Sequence, residues 1–292
     1  SNKICLIQLN RAFIVGEIKM MKFALKAVAV GVLTAGSTMV MAESAPSFYG
    51  ITTTGSVAAT TDYRFRGVTQ SSNNPAIQGG FTFSHKSGAY LSLWGSSVDF
   101  GVTGNSTETD VALGYTNTLK LSDKLAPTYD VGVIHYGYIG SGHSFDRNGI
   151  GYDGKNGLDF NEVYGKLTFA DSLFKGDALS VGVNYSNDYW ANSKQFWYFN
   201  VGYSAPIANT GFTGLASVGY NKFKNKEALA VVAGGPGTDD SYIDYKVGVN
   251  RNILGILAEL DVVGTDVSTS GMTDAQKKPY DAGLVFSLTK TF

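Results

Sequence analysis

The end of the chain constrains the fold most, because its side chains alternate between apolar and polar up to the final Phe292. A period of two residues is the signature of a β-strand with one buried face. Lys290 is the only charge on the apolar face. That face carries Tyr280, Ala282, Leu284, Phe286, Leu288 and Phe292, and the opposite face carries Asp281, Gly283, Ser287, Thr289 and Thr291. We predict a last strand that closes a larger sheet and keeps one apolar side.

The N-terminal segment predicts export. Residues 21–26 are short and basic, residues 27–41 are apolar or small, and Val40-Met41-Ala42 fits a small-x-small cleavage site. The apolar stretch is shorter than the ~20 residues that a spanning helix needs. We therefore predict a cleaved signal peptide at 21–42, preceded by a leader of unclear origin at 1–20, and a single mature domain at 43–292.

Cysteine and charge exclude several protein classes. Cys5 is the only cysteine and precedes the predicted cleavage site, so the exported domain would have no disulfide and would depend on backbone pairing and packing. The whole chain has a formal net charge of −1, which is not the basic footprint of a nucleic-acid-binding protein. A mean hydropathy of −0.02 is compatible with membrane strands, because only every second residue faces lipid.

Twelve alternating runs of about ten residues follow one another along the predicted domain. They are 55–66, 76–85, 89–98, 108–119, 128–138, 159–169, 177–188, 195–205, 212–223, 241–251, 254–266 and 280–292. Long connections (67–75, 99–107, 139–158, 189–194, 224–240, 267–279) alternate with short ones (86–88, 120–127, 170–176, 206–211, 252–253). Transmembrane barrels have this bias, whereas a two-sheet sandwich has no reason for it. We predict an all-β, up-and-down antiparallel transmembrane barrel of about twelve strands.

The two faces of the runs differ in charge, which predicts a water-filled interior. One face is apolar and aromatic, and its candidate membrane-girdle residues are Tyr63, Phe65, Tyr115, Tyr185, Trp197, Tyr203, Tyr220 and Phe286. The other face collects Asp62, Arg64, Arg66, Glu108, Asp110, Glu162, Lys166, Asp188, Asp244, Lys246, Glu259 and Asp261. So many charges are too costly for lipid or a dry core. Acidic residues outnumber basic ones in this set, which indicates a weak preference for cations.

Three stretches near the start of the predicted domain carry a family resemblance. They are Asp62-Tyr-Arg-Phe-Arg-Gly-Val-Thr-Gln70, Asn74-Pro-Ala-Ile-Gln-Gly-Gly80 and Tyr90-Leu-Ser-Leu-Trp-Gly-Ser-Ser-Val-Asp-Phe100. Together they resemble the N-terminal signature of the TorF-type porins. The resemblance implies a barrel in the bacterial outer membrane, embedded in its lipid, and it does not imply a substrate. The last strand is also similar to the closing strand of such barrels, whose terminal Phe is read by the barrel-assembly machinery, so Phe292 is the candidate assembly signal.

The first predicted strand offers the clearest candidates for ion selectivity. Asp62, Arg64 and Arg66 would share its inward face, and Gln78 would share the inward face of the second strand. Guanidinium and carboxylate groups across a lumen set a field that passing ions feel. The alternative is a network that only braces the barrel wall, and the sequence leaves both open.

Metal and catalytic chemistry have few candidates. His85, His135 and His143 do not stand at a metal-ligand spacing with a carboxylate, and we expect no metal and no cofactor. His143, Ser144 and Asp146 form one hydrolase-like cluster in a glycine-rich loop that offers little rigid support. We therefore expect no enzyme.

Three functions remain open at the level of sequence. The first is a narrow channel for passive diffusion of small polar or ionic solutes, because twelve strands enclose a lumen of intermediate width. The second is an adhesin or structural barrel that acts through its long loops, and the third is an outer-membrane hydrolase. The sequence does not determine whether the connection at 139–158 folds into the pore.

Overall fold

The computed structural model describes residues 48–100, 106–122, 125–139, 157–234 and 239–292. The predicted leader and signal peptide lie outside these residues. So do His143, Ser144, Asp146 and nearly all of the 139–158 connection.

Twelve antiparallel strands form a closed barrel in which each strand pairs with its neighbours in sequence, and the first pairs with the last. The strands are β1 (Ile51–Thr60), β2 (Arg64–Phe65), β3 (Val68–Thr69), β4 (Ala76–His85), β5 (Ala89–Ser97), β6 (Thr107–Thr118), β7 (Thr128–Ile139), β8 (Phe160–Ala170), β9 (Ala178–Ser186), β10 (Phe196–Pro206), β11 (Thr213–Phe223), β12 (Ser241–Ile253), β13 (Ile256–Thr265) and β14 (Gly283–Thr291). Among the strands of the described residues, only β2 and β3 lie outside the barrel wall, as a separate two-stranded hairpin. The predicted fold class is confirmed.

The barrel closes between β1 and β14. The register runs from Ser56 opposite Thr291 to Thr60 opposite Ser287. Beyond it, the backbone N–H of Gly55 donates to the carbonyl of Phe292 (2.8 Å), and the N–H of Phe292 donates to the carbonyl of Gly55 (3.0 Å). Closure leaves no unpaired sheet edge, which a lipid environment requires.

The outer surface is apolar, as expected of a barrel wall in lipid. Large apolar side chains are exposed on successive strands, among them Leu113, Val133, Val247, Leu284 and Leu288. Their inward neighbours along each strand are mostly polar or buried. In water so much exposed apolar surface would be unfavourable, so the strands are membrane-spanning segments.

The structure places three of the eight predicted outward aromatics in exposed positions on the outer surface and two inside the barrel. Trp197, Tyr220 and Phe286 are exposed on the outer surface, and the ring of Trp197 stacks on that of Phe199 at 6.0 Å. The prediction is wrong for Tyr63 and Phe65. Both pack inside the barrel, because the chain has already left the wall at those positions.

The first predicted strand is too long, since β1 ends at Thr60 rather than at residue 66. Residues 61–75, here called the inward segment, fold into the barrel and contain β2 and β3. The turn of this hairpin is made by Arg66 (φ 49°) and Gly67 (φ 82°), both in the left-handed region that favours glycine. The alternation of residues 61–66 therefore continues past the end of the wall strand.

Two short helices lie in the long connections, where the sequence predicted none. Helix α1 (Lys226–Ala233) is capped by the side chain of Asn225, which accepts from the Ala228 N–H (2.9 Å). Helix α2 (Asp274–Lys277) begins with a capping box at Thr273. The Tyr280 hydroxyl donates to the carbonyl of Ala233 (2.9 Å), which ties the two connections together over the barrel. Within the described ranges, no helix is long and apolar enough to cross a membrane.

Candidate functional site: the barrel interior

The interior has two levels that differ in packing. Near the long connections it is filled by a cluster of buried side chains that includes Ile134, Tyr136, Tyr138, Leu158, Phe160, Tyr189, Phe196, Tyr198, Phe223, Leu229, Tyr242, Val267, Met272 and Tyr280. Near the short turns the inward side chains are mainly hydroxyl, amide and charged groups, and the inward Lys166 is solvent-exposed. The inward groups near the short turns are of the kind that a water-filled lumen requires, whereas the level near the long connections is packed.

The packed level is organised around an ion pair between the inward segment and the wall. Arg66 Nη1 and Nη2 each donate to one carboxylate oxygen of Glu162 on β8, both at 2.8 Å. The two side chains are 3% and 0% exposed. Tyr136 (3.2 Å) and Asn184 (2.9 Å) also donate to Oε2 of Glu162. A buried pair of this kind depends on such additional hydrogen bonds to offset desolvation.

Aromatic rings surround the guanidinium of Arg66 on its remaining sides. The distances from Cζ of Arg66 to the ring centroids are 4.3 Å for Tyr198, 4.6 Å for Phe65, 4.9 Å for Phe196 and 5.6 Å for Tyr189. We call these four rings and the Glu162 carboxylate the Arg66 cage. Burial by itself would lower the pKa of Arg66, but the attraction of Glu162 outweighs it and the pKa is raised. The guanidinium therefore stays charged inside the barrel.

Polar contacts also hold the start of the inward segment, at Asp62. The carboxylate of Asp62 accepts from Nε of Arg64 (2.5 Å), the Thr69 hydroxyl (2.5 Å) and the Ser71 hydroxyl (3.1 Å). Arg64 donates onward through Nη1 to the carbonyl of Asp281 (2.9 Å), in the connection before β14. Asp62, Arg64 and Arg66 thus lie inside the barrel as predicted, but on the inward segment rather than on the first strand.

Two acidic side chains beside the segment have no cationic partner among the described residues. Glu108 and Asp110 lie two positions apart on β6 and are 1% and 4% exposed. The Tyr138 hydroxyl donates to Oε1 of Glu108 (3.2 Å). Oε2 of Glu108 and Oδ1 of Asp110 have no hydrogen-bond partner in the described structure. This side of the packed level therefore holds two buried carboxyl groups that no described Lys or Arg contacts.

The other predicted acidic residues are partnered. Asp244 on β12 accepts from Asn221 (2.7 Å) and from the Tyr198 hydroxyl (3.3 Å). Lys246 lies 2.9 Å from Oε1 of Glu259 and 3.6 Å from Oδ2 of Asp261, so one cation serves two carboxylates. Gln78 is inward on β4 and donates to the Ser96 hydroxyl at 3.4 Å. All five residues, Asp244, Lys246, Glu259, Asp261 and Gln78, lie on the strands where the pattern placed them.

One inward network was missed. Asp130 on β7 accepts from the Tyr90 hydroxyl (2.8 Å), and that hydroxyl also contacts the Tyr164 hydroxyl. Strict alternation along the predicted run at 128–138 would have found Asp130, since it shares a face with the buried Ile134 and Tyr136. The reverse holds for Asp188. It was predicted to face inward, but it lies beyond β9 in an exposed pair with Lys194 (4.0 Å).

Metal chemistry finds no support in the described part of the chain. It contains no group of three or more His, Cys, Asp or Glu side chains that could hold a metal ion. His135 faces outward and hydrogen-bonds Asn161 (2.9 Å), while His85 lies at a short turn.

Comparison with known proteins identifies a family. A family model described as "Bacterial protein of unknown function (Gcw_chp)" matches residues 43–292. It does not test the TorF-type resemblance, which stays a prediction. No curated protein matches the sequence. A closed barrel with an apolar exterior, in a bacterial family, is a protein of the outer membrane.

Solved structures of outer-membrane porins resemble the barrel at low sequence identity. A KdgM porin in complex with disordered oligogalacturonate matches at 6% identity and a TM-score of 0.46, over 82% of this chain and 98% of that one. The NanC porin matches at 11% identity and 0.47, over 81% and 98%. OpdL of Pseudomonas aeruginosa matches at 14% identity and 0.42, over 84% and 68%.

Proposed function

The chain belongs to the Gcw_chp family, and we propose that it is an outer-membrane channel for small polar or ionic solutes, closed in this conformation by its inward segment. The observation that carries the proposal is which part of the chain fills the packed level of the barrel. The packed level is not built by the wall strands alone, because residues 61–75 enter it from a connection and place Arg66 against Glu162 and Phe65 against Tyr136. The level near the short turns, in contrast, is lined by hydroxyl, amide and charged side chains.

The contacts that hold the inward segment support the proposal that the segment can leave the barrel interior and open the channel. Three of its contacts with the rest of the barrel are polar, namely the Arg66–Glu162 pair, the Tyr242 hydroxyl donating to the carbonyl of Arg66 (3.3 Å), and Arg64 at the Asp281 carbonyl. Its rings also pack against the wall, with Phe65 at 5.7 Å from Tyr136 and Tyr63 at 5.6 Å from Trp94. Lids and binding loops that move are drawn from the less stable parts of a fold, and we propose that the inward segment is one of them. Release would leave the closed ladder of the barrel untouched.

The interior charges support a preference for cations. Eight acidic side chains lie inside, namely Asp62, Glu108, Asp110, Asp130, Glu162, Asp244, Glu259 and Asp261, against the four basic side chains of Arg64, Arg66, Lys166 and Lys246. A ring of carboxylates in a narrow pore favours cations over anions. Twelve strands also leave a narrower lumen than wide general porins have.

Conductance in a planar lipid bilayer tests the proposal. We expect wild-type protein to open rarely, and Glu162→Gln to open more often, because it removes the charge that holds Arg66. Asp240→Asn is the matched control, since it breaks an exposed ion pair (2.6 Å) between the connection before β12 and Lys222 at the end of β11. A salt gradient then gives the reversal potential, which should favour the cation.

A structural or adhesive barrel is the second candidate. The packed level favours it, because so many aromatic side chains fill one end of the barrel. A structural or adhesive barrel predicts that Glu162→Gln shows no conductance in the bilayer, even when gel mobility before and after boiling shows a folded barrel. The channel would be rejected if no conductance is measured for wild type, for Glu162→Gln and for a variant lacking residues 62–74.

A further inference from the structure

The Arg66 cage is a binding site whose present occupant belongs to the chain itself. Its carboxylate and three of its four rings come from the wall strands or the connection between β9 and β10. These groups are Glu162 on β8, Phe196 and Tyr198 on β10, and Tyr189 in the connection between β9 and β10. Only Phe65 belongs to the inward segment. When the segment withdraws, most of the cage remains in place.

The geometry of the cage selects a guanidinium group. The carboxylate of Glu162 accepts two parallel N–H groups of Arg66, a fork that a guanidinium matches and an ammonium does not. The ring of Tyr198 is 4.3 Å from Cζ, within the range of a cation–π interaction. Nε of Arg66 is buried and makes no hydrogen bond in the described structure, so the two terminal nitrogens provide the hydrogen-bonded recognition.

The occupant is held under backbone strain. Arg66 has a φ of 49°, in the left-handed region that a branched or bulky residue rarely adopts without compensation. The ion pair in the cage is the contact that offsets this strain. A free guanidinium compound in the cage would satisfy the same groups without the strained backbone.

We propose that the Arg66 cage is a recognition site for solutes that carry a guanidinium group, with Arg66 as a tethered occupant that such a solute displaces. The inference rests on the proposed function, since the inward segment must withdraw for a solute to enter. It also deepens that function, because it names the class of cation and joins its binding to the release of the segment. The network that holds Glu162, through Tyr136 and Asn184, then serves ligand binding as well as closure.

Chemical rescue in detergent tests the site without any need for conductance. Arg66→Ala should lower the melting temperature, and methylguanidinium at millimolar concentration should raise it again in a saturable manner. Methylammonium, of equal charge but without the fork, should give no rescue. Arg251→Ala is the matched control, because it removes a guanidinium that lies 5.2 Å from the single ring of Phe212 at the exposed short-turn end.

Equal effects of both compounds, or equal rescue of Arg66→Ala and Arg251→Ala, would overturn the inference. Arg66→Met, which keeps much of the apolar stem without the charged head, is titrated in parallel. If neither variant folds alone, the same titration is read as refolding yield, and failure of methylguanidinium to restore folded barrel rejects the site.

A bilayer measurement then separates this inference from the channel itself. Methylguanidinium added to wild type should raise the open probability, because it competes with Arg66 for the cage. Rescue without conductance in any variant would retain the site and reject the channel. Conductance of Glu162→Gln without rescue of Arg66→Ala or Arg66→Met would retain the channel and reject the site.

Discussion

The ring of Phe292 lies over Gly55, where an added Cβ would come within 2.5 Å of it. The same two residues exchange both backbone hydrogen bonds at the end of the seam between β1 and β14. The Phe292 ring also makes an edge contact with Phe81 on β4, at 6.3 Å between centroids. The terminal aromatic therefore joins three strands at the point where the barrel closes.

This placement gives the first prediction, that Phe292→Ala lowers the amount of assembled barrel in the outer membrane. The loss has two sources: the missing contact at the seam and the missing terminal aromatic that the assembly machinery is proposed to read. Phe286→Ala is the control, because Phe286 is an exposed residue on the same outward face of β14. Heat-dependent gel mobility of membrane fractions measures assembled barrel, and equal amounts for the two variants would contradict the prediction.

The second prediction concerns Gly67 in the turn of the inward segment. Gly67→Ala should displace the segment, because an added Cβ would lie 2.4 Å from Cγ2 of Thr265 and 2.7 Å from the carbonyl oxygen of Gly264. The φ of 82° adds backbone strain. Together we expect a cost of about 1–3 kcal/mol, seen as a lower melting temperature and a higher open probability in the bilayer.

Gly165→Ala is the matched control for that substitution. Its nearest neighbour to an added Cβ is Cγ1 of Val131 at 3.9 Å, an ordinary contact, and its φ is not in the left-handed region. Both melting temperature and open probability should stay at the wild-type values. If the open probability of Gly67→Ala stays as low as that of wild type, the inward segment does not close the channel.

Alternation predicts most of the wall but not the interior. Leu284, Phe286 and Leu288 face outward as their period of two requires, because lipid rewards a continuous apolar face whatever lies inside. The same rule failed at Tyr63 and Phe65, where the apolar and polar alternation continues although the wall strand has ended. Only the tertiary contacts, such as Arg66 with Glu162, distinguish an inward segment from a longer strand.

The Arg66 cage could not be read from the sequence for a related reason. Its carboxylate stands 96 residues from the arginine, and no local spacing joins them. The aromatic residues Phe196 and Tyr198 show a strand face, and that face is equally compatible with a girdle, a core or a binding site. The sequence did show that acidic residues outnumber basic ones on the inward faces. Glu108 and Asp110 lie inside the barrel as that pattern predicted.

The third prediction tests which face of a strand meets lipid. Val201→Lys should destabilise the barrel by about 2–4 kcal/mol, the cost of a lipid-facing Lys near the bilayer midplane. Val201 is exposed near the middle of β10, and its neighbour Asn200 faces inward. Asn200→Lys should therefore assemble and melt close to wild type. Similar losses for both variants would contradict the assignment of faces.

The fourth prediction concerns pH and the short turn between β8 and β9. Asp177 is buried there, and burial alone would raise the pKa of its carboxylate. Hydrogen bonds from the Tyr203 hydroxyl (2.7 Å) and the backbone N–H groups of Leu173 (2.9 Å) and Phe174 (3.2 Å) outweigh that effect and lower the pKa to about 2. A lowered pKa in the folded state means that the carboxylate stabilises the fold when ionised.

That stabilisation is complete above the ordinary aspartate pKa of about 3.9, and it is lost as the pH falls through about 2. Asp177→Asn, which lacks the charge and one acceptor oxygen, should melt below wild type at pH 5, and the difference should shrink progressively from pH 4 to pH 2. Asp188→Asn, in an exposed pair with Lys194, should keep the pH dependence of wild type. Melting curves of the three proteins across this range measure the effect. A difference between Asp177→Asn and wild type that stays constant down to pH 2 would show that the carboxylate of Asp177 contributes through its shape rather than its charge.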